Sequence, residues 1–77
     1  MDIKKVVAAN VKLFRAHRGL TQEQLGKKAN IHPVYIAGIE GGTRNATLAN
    51  ISKIATALGI PPYLLLSEEI KTWLKNS

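Results

Sequence analysis

The chain reads as an all-α protein organised around a helix-turn-helix unit, and two observations predict this. Apolar residues recur at helical spacing through the chain and nowhere alternate as they do in a strand. Residues 22–41, QEQLGKKANIHPVYIAGIEG, then set two short apolar stripes on either side of a tight turn. Leu25 and Ala29 share one face of a first helix, and Gly26 between them is small enough to let a second helix cross closely. Asn30 falls at the bend, where the backbone needs a positive φ that Asn tolerates better than most residues. Ile31 anchors the turn, and Ile36 and Ile39 face back from the second helix. In such a unit the second helix is the one offered to the major groove of DNA.

The remaining elements follow from local signals. Asp2 caps a first helix running to about residue 17 or 18, with Ile3, Val7, Val11 and Phe14 as its inner stripe, helped by Val6 and Leu13; Gly19 stops it. Thr21 caps the second helix, and Gln24, three residues on, completes a capping box. The third helix begins near His32 with Pro33 in its first turn, where a missing N–H costs nothing, and ends at Gly41-Gly42. Residues 42–46 form a polar loop. Thr47 caps a fourth helix with the stripe Leu48, Ile51, Ile54, Ala55 and Leu58, closed by Gly59. Pro61-Pro62 starts a short fifth helix through about Leu66. Ser67 caps a last one, with Glu68 and Glu69 near its positive end.

Composition bounds the function. The chain has 77 residues, which predicts one domain over 1–77, with the helix-turn-helix at 22–41 and a C-terminal extension at 67–77. So small a core is marginal and gains stability from a partner subunit or from DNA. Without cysteine, neither a disulfide nor a thiolate metal site can staple it. Eleven Lys and Arg against five Asp and Glu give a net charge of +6, which favours an anionic partner, nucleic acid before an acidic membrane surface. No stretch approaches the ~18 apolar residues of a membrane span. Asn10 and Lys12 interrupt the apolar N-terminal run, so it does not read as a signal peptide, and a cytoplasmic protein is expected. His17 and His32 have no ligand-like spacing, so neither a metal nor a cofactor is expected, and His17 reads as helix surface. No nucleophile–base constellation and no phosphate-cradling glycine loop is present, so an enzyme and a small-molecule ligand are not expected.

From Val11 to Leu66 the chain resembles the phage-repressor-like (Cro and C1-type) helix-turn-helix regulators. The resemblance is carried by Val11 to Arg15, Gly19 to Gln22, Leu25-Gly26, Ile36, Ile39-Glu40 with Gly42, and Ile54 to Ile60. Tyr35 to Leu48, YIAGIEGGTRNATL, is most similar to the controller proteins of restriction–modification systems. The resemblance implies a compact five-helix domain, here followed by a short C-terminal helix, that binds a pseudo-palindromic operator as a homodimer. Two recognition helices ~34 Å apart can read successive half-sites. One module of this size makes too few contacts for useful specificity. Controllers of this type are implied to act on their own promoter.

Phosphate contacts and base contacts need different chemistry. Gln22, just after the Thr21 cap, can lay its amide and the free N–H groups of the helix end against a phosphate, a use the family implies too. Arg44 and Asn45, in the loop after the recognition helix, are placed for the DNA backbone; the resemblance implies that Arg44 reaches a base as well. Thr43 and Thr47 are weaker phosphate candidates. Tyr35 either reaches a phosphate with its hydroxyl or packs at the edge of the core. Lys27 and Lys28 read as solvated surface ahead of a DNA contact. Base-reading positions implied by the family fall at His32, Pro33, Val34, Ala37 and Gly38. The usual pattern has several polar side chains there, whereas this chain offers only His32. Val34 and Ala37 suit a thymine methyl. Direct readout is therefore sparse, and specificity leans on Arg44 and on DNA shape.

The family also implies that Arg15 and Glu40 form a structural ion pair joining the first helix to the end of the third. Apolar residues beyond the family core need another place to be buried. Leu64 is expected inward, and some of Leu65, Leu66, Ile70, Trp73 and Leu74 at a subunit interface. A rival reading is a phage- or plasmid-type repressor, or an antitoxin whose main partner is another protein. The short tail lacks the long disordered segment that antitoxins often use.

Overall fold

The computed structural model describes residues 2–75, apart from the side chains of residues 71–73. The chain folds as α1 (Ile3–His17), α2 (Gln22–Ala29), α3 (Pro33–Glu40), α4 (Leu48–Leu58), a 3₁₀ turn (Pro62–Leu66) and α5 (Ile70–Lys75). The described residues contain no strand.

Local chemistry sets each helix end. The Asp2 carboxylate accepts from the Lys4 N–H at 3.0 Å and starts α1. Thr21 and Gln24 exchange both bonds of a capping box at the start of α2, at 3.0 and 2.9 Å. Asn30 closes α2 in the left-handed conformation, φ 57° and ψ 46°. The chain then turns sharply enough that a Cβ on Gly26 would lie 2.5 Å from the Ile31 carbonyl oxygen. Gly26 therefore makes room for the turn's own backbone and for Pro33 behind it. Thr47 accepts from the Asn50 N–H at 3.1 Å and starts α4. At the far end of α4, Arg18 donates from Nε to the Leu58 carbonyl at 3.0 Å, a cation at a helix C-terminus that ties α1 to α4.

The core lies between α1, α2, α3, α4 and the 3₁₀ turn. Phe14, Val11, Leu25, Ile36, Ile54 and Leu65 are fully buried in it. Four α-helices and a 3₁₀ turn build this body, where five α-helices were expected. The reason is local: Pro62 has no N–H to give, and the short segment is held by i→i+3 bonds from Leu64 to Pro61 and from Ser67 to Leu64. Asn10, a buried polar side chain on α1, secures that turn. Its Nδ2 donates to the carbonyls of Leu64, Leu65 and Ser67 at 3.3, 3.0 and 2.7 Å.

Three expectations are corrected by this packing. Leu48 does not belong to the inner stripe of α4 and is 81% exposed; Ile3, in phase with the α1 stripe, is 50% exposed. Both lie in the first turn of their helices, beyond the end of the core. Leu65 and Ile70 lie inside the core and offer no side-chain surface to a partner, unlike Leu66. The leucine triplet turns with 3₁₀ geometry, which directs Leu64 and Leu65 inward and Leu66 outward. Leu74 packs against the core while partly exposed. The expectation for Trp73 concerns a side chain outside the described residues.

Candidate nucleic-acid interface

Helix α3 buries Ile36 and Ile39 and turns its opposite side outward. His32 and Val34 are exposed; Pro33, Ala37 and Gly38 are partly so. Val34, at 61% exposure, presents a bare isopropyl group to solvent. Pro33 faces the turn and lies over Gly26. His32 acts as the N-cap: its Nδ1 accepts from the Val34 N–H at 3.1 Å.

The loop after α3 folds back along that helix. The N–H groups of Thr43 and Arg44 both donate to the Gly38 carbonyl, at 2.9 and 3.1 Å, and the Thr43 hydroxyl donates to the same oxygen at 3.3 Å. This brings the Arg44 side chain across α3. Its Cγ and Cδ would lie 2.7 and 2.8 Å from a Cβ on residue 38, so the stem occupies the space Gly38 leaves open. Its guanidinium sits 5.7 Å from the centroid of the Tyr35 ring, within cation–π range. The Tyr35 hydroxyl donates to the Asn45 carbonyl at 2.5 Å. Gly38, Tyr35, Arg44 and Asn45 thus form one packed group, and a cation is held out over the exposed face of α3. Much of its side-chain entropy is already spent, which lowers the cost of a later contact.

A second network lies behind α3. Arg15 donates to both carboxylate oxygens of Glu40, from Nε at 2.7 Å and Nη2 at 3.0 Å, and from Nη1 to the Leu20 carbonyl at 2.8 Å. The hydrogen bonds to Glu40 hold the Arg15 pKa above the ordinary guanidinium value, against the smaller opposing pull of burial. Only 4% of the Glu40 side chain and 16% of the Arg15 side chain are exposed. Gln22 donates from Nε2 to Glu40 Oε1 at 3.2 Å. One proton of its amide is engaged there and the other is free to meet an acceptor. Glu40 is therefore neutralised by Arg15 and also orients Gln22 at the start of α2.

The structure brings His32, Val34, Tyr35 and Arg44 around one shallow depression on this face. The hydroxyls of Tyr35, Thr43 and Thr47 are each engaged with backbone groups of the interface itself. Sequence reasoning missed the Tyr35–Arg44 stacking and the Glu40–Gln22 bond, because both join residues far apart in the chain. Gly38 was the available signal: a glycine inside a helix costs ~1 kcal/mol relative to Ala, so it points to a close neighbour. Among the described residues no helix is long and apolar enough to cross a membrane.

A family model described as helix-turn-helix matches residues 11–65. A hypothetical transcription factor of Neisseria meningitidis serogroup B is 38% identical over 65 residues, 84% of this chain. The chain spans 61% of that relative's length, less than two thirds. The control protein C.SmaI of Serratia marcescens is 39% identical over 72 residues, covering 92% of this chain and 86% of the relative. The crystal structure of the restriction-modification controller protein C.AhdI from Aeromonas hydrophila superposes with a TM-score of 0.78 at 37% identity, over 80% of this chain and 94% of that one. These relatives are described as regulators and not as enzymes.

Proposed function

The chain belongs to the helix-turn-helix family of transcription regulators, close to restriction–modification controllers, and from that premise we propose that it controls a restriction–modification operon as a homodimer on a pseudo-palindromic operator. The observation that carries this reading is the arrangement at α3. An outward helix face, with Arg44 laid across it in the Gly38 slot, presents a preformed cation where a major-groove edge would lie. His32, Val34, Ala37 and Arg44 are the base-facing groups. Pro33 acts mainly by packing over Gly26 of α2, and Gly38 by letting Arg44 approach. Gln22 supplies a phosphate contact. Asn45, Thr43, Thr47 and Tyr35 lie at the edge of the same surface and shape the loop that meets the DNA backbone.

Two observations support a dimer. The longest extent of the chain is 30 Å, short of the ~34 Å between successive half-sites, so one copy cannot read both. Ile3, Leu48 and Leu66 together line an apolar hollow with Val7, Ile39, Ala46 and Ile51. The hollow also reaches Arg44 and Asn45, so it adjoins the DNA-facing loop. A second copy seated there would cover exposed leucines and set two α3 helices side by side. Leu66, and not Leu65 or Ile70, is the C-terminal contributor.

The test is selection of bound duplexes from a random DNA pool, followed by titration of the selected sequence at two salt concentrations. The expected consensus is palindromic, with half-sites about one helical turn apart. If on the order of eight phosphates are neutralised, doubling the salt weakens binding roughly 150-fold. Recovery of no consensus, or of a lone half-site, overturns the reading.

A further inference from the structure

The two ring nitrogens of His32 have different surroundings, and the difference fixes what this residue can recognise. Nδ1 accepts from the Val34 N–H as the cap of α3. A neutral imidazole that accepts at Nδ1 carries its proton on Nε2, so the ring offers one donor and no acceptor to anything outside. The ring itself is exposed.

The other donors at this helix end are spent. Pro33 has no N–H, Val34 is bound to the ring, and the N–H groups of Tyr35 and Ile36 both donate to the His32 carbonyl, at 2.9 and 3.3 Å. The amides that could otherwise hold a phosphate at a helix start are therefore unavailable here. The His32 Nε2–H is the hydrogen-bond donor left at the N-terminus of α3.

We propose that His32 is a specificity-determining residue that donates from Nε2 to N7 of a guanine, and that the capping bond at Nδ1 sets this choice by fixing the tautomer. The proposal rests on the reading above that α3 enters the major groove. Guanine presents two adjacent acceptors there, N7 and O6, so a lone donor meets no opposing group. Adenine sets an amino donor beside its N7, thymine sets a methyl group beside O4, and cytosine shows an amino donor. A donor-only ring ranks guanine first and cytosine last. A histidine with the opposite tautomer would accept instead, and the cap excludes that form.

The test uses the full chain and the operator recovered by selection. Each guanine of a half-site is replaced in turn by 7-deazaguanine, which removes the N7 acceptor and leaves the pairing edge intact. Binding is measured for the parent protein, for His32→Ser and for His32→Asn. Serine and asparagine are good N-caps, so both variants should melt close to the parent. Serine has no donor at the reach of the imidazole. The parent should lose about five- to tenfold in affinity at one guanine per half-site. His32→Ser should bind natural and substituted duplexes equally at that position, while a guanine read by Arg44 keeps its effect in both proteins. The inference is overturned if no guanine N7 matters to the parent, or if the loss at every sensitive guanine is the same in His32→Ser and His32→Asn as in the parent. Failure to recover any operator at the outset would instead overturn the proposed function.

Discussion

Replacing Glu40 by alanine should cost this protein a large part of its stability, and the size of the loss follows from the geometry of one pair. Glu40 is almost wholly enclosed and takes two hydrogen bonds from Arg15 and one from Gln22. Its removal leaves the Arg15 guanidinium without its counter-charge. Stranding one member of a buried pair costs about 3–5 kcal/mol. Here Arg15 keeps its bond to the Leu20 carbonyl and some contact with water, which places the loss near the lower limit, about 3 kcal/mol. For a chain of this size each 1 kcal/mol moves the melting temperature by about 4–8 °C, so the expected drop is roughly 12–24 °C. Thermal and urea unfolding followed by circular dichroism give both numbers. Arg15→Met combined with Glu40→Leu should recover most of the loss, since a pair of apolar residues strands no charge. A drop below about 1 kcal/mol for Glu40→Ala would place the pair among exposed ion pairs. That result would refute the claim that it joins α1 to α3 energetically.

Three further outcomes are expected. Asn10→Ala should lower unfolding free energy by about 1–3 kcal/mol, because the carbonyls of Leu65 and Ser67 lose the Asn10 donor while that of Leu64 keeps only the Ser67 N–H, as read by urea titration. Gly38→Ala should change stability by no more than about 1 kcal/mol in either direction, since the helix preference of alanine is set against the lost packing of Arg44 on α3. It should nonetheless weaken operator binding in a gel-shift assay toward the level of Arg44→Ala, because the new methyl displaces the Arg44 stem. Leu48→Glu should alter stability by no more than about 0.5 kcal/mol, as expected for an exposed site, while shifting sedimentation toward monomer. An unchanged sedimentation profile would rule out the hollow at Leu48 as the subunit interface.

Helix boundaries were legible in the sequence because caps are local chemistry. Asp2, the Thr21–Gln24 pair, Thr47 and the left-handed Asn30 all act within a few residues of themselves. The inner stripes were legible only where the core continues. Ile3 and Leu48 are in phase with Val7 and Ile51, yet the core ends before it reaches them, and periodicity carries no information about where a partner element stops. Three leucines in a row have no period, so the order of Leu64, Leu65 and Leu66 depended on a 3₁₀ turn set by Pro62 and by Asn10. Asn10 lies on the inner stripe with Val7, Val11 and Phe14. A polar residue at such a position signals a buried hydrogen bond, whereas it was read only as a break in an apolar run. At the candidate site, residue types were legible and their couplings were not. Nothing local links Tyr35 to Arg44, or Gln22 to Glu40.

The bonds from Asn10 to the far end of the chain govern the order in which this molecule can assemble. They join residues up to 57 positions apart, so their closure carries the largest loop entropy of any hydrogen bond described here. During synthesis, α1 emerges with Val7, Val11 and Phe14 uncovered, and Leu64 and Leu65 arrive to complete their burial only after α2, α3 and α4 have followed. Until then the recognition helix has no closed core behind it. A prematurely terminated product lacking residues 62–67 would leave the ribosome as an open, apolar chain unable to hold α3 in place. Nonsense mutations between residues 59 and 64, downstream of every DNA-facing residue, should therefore silence the regulator as completely as those within α3.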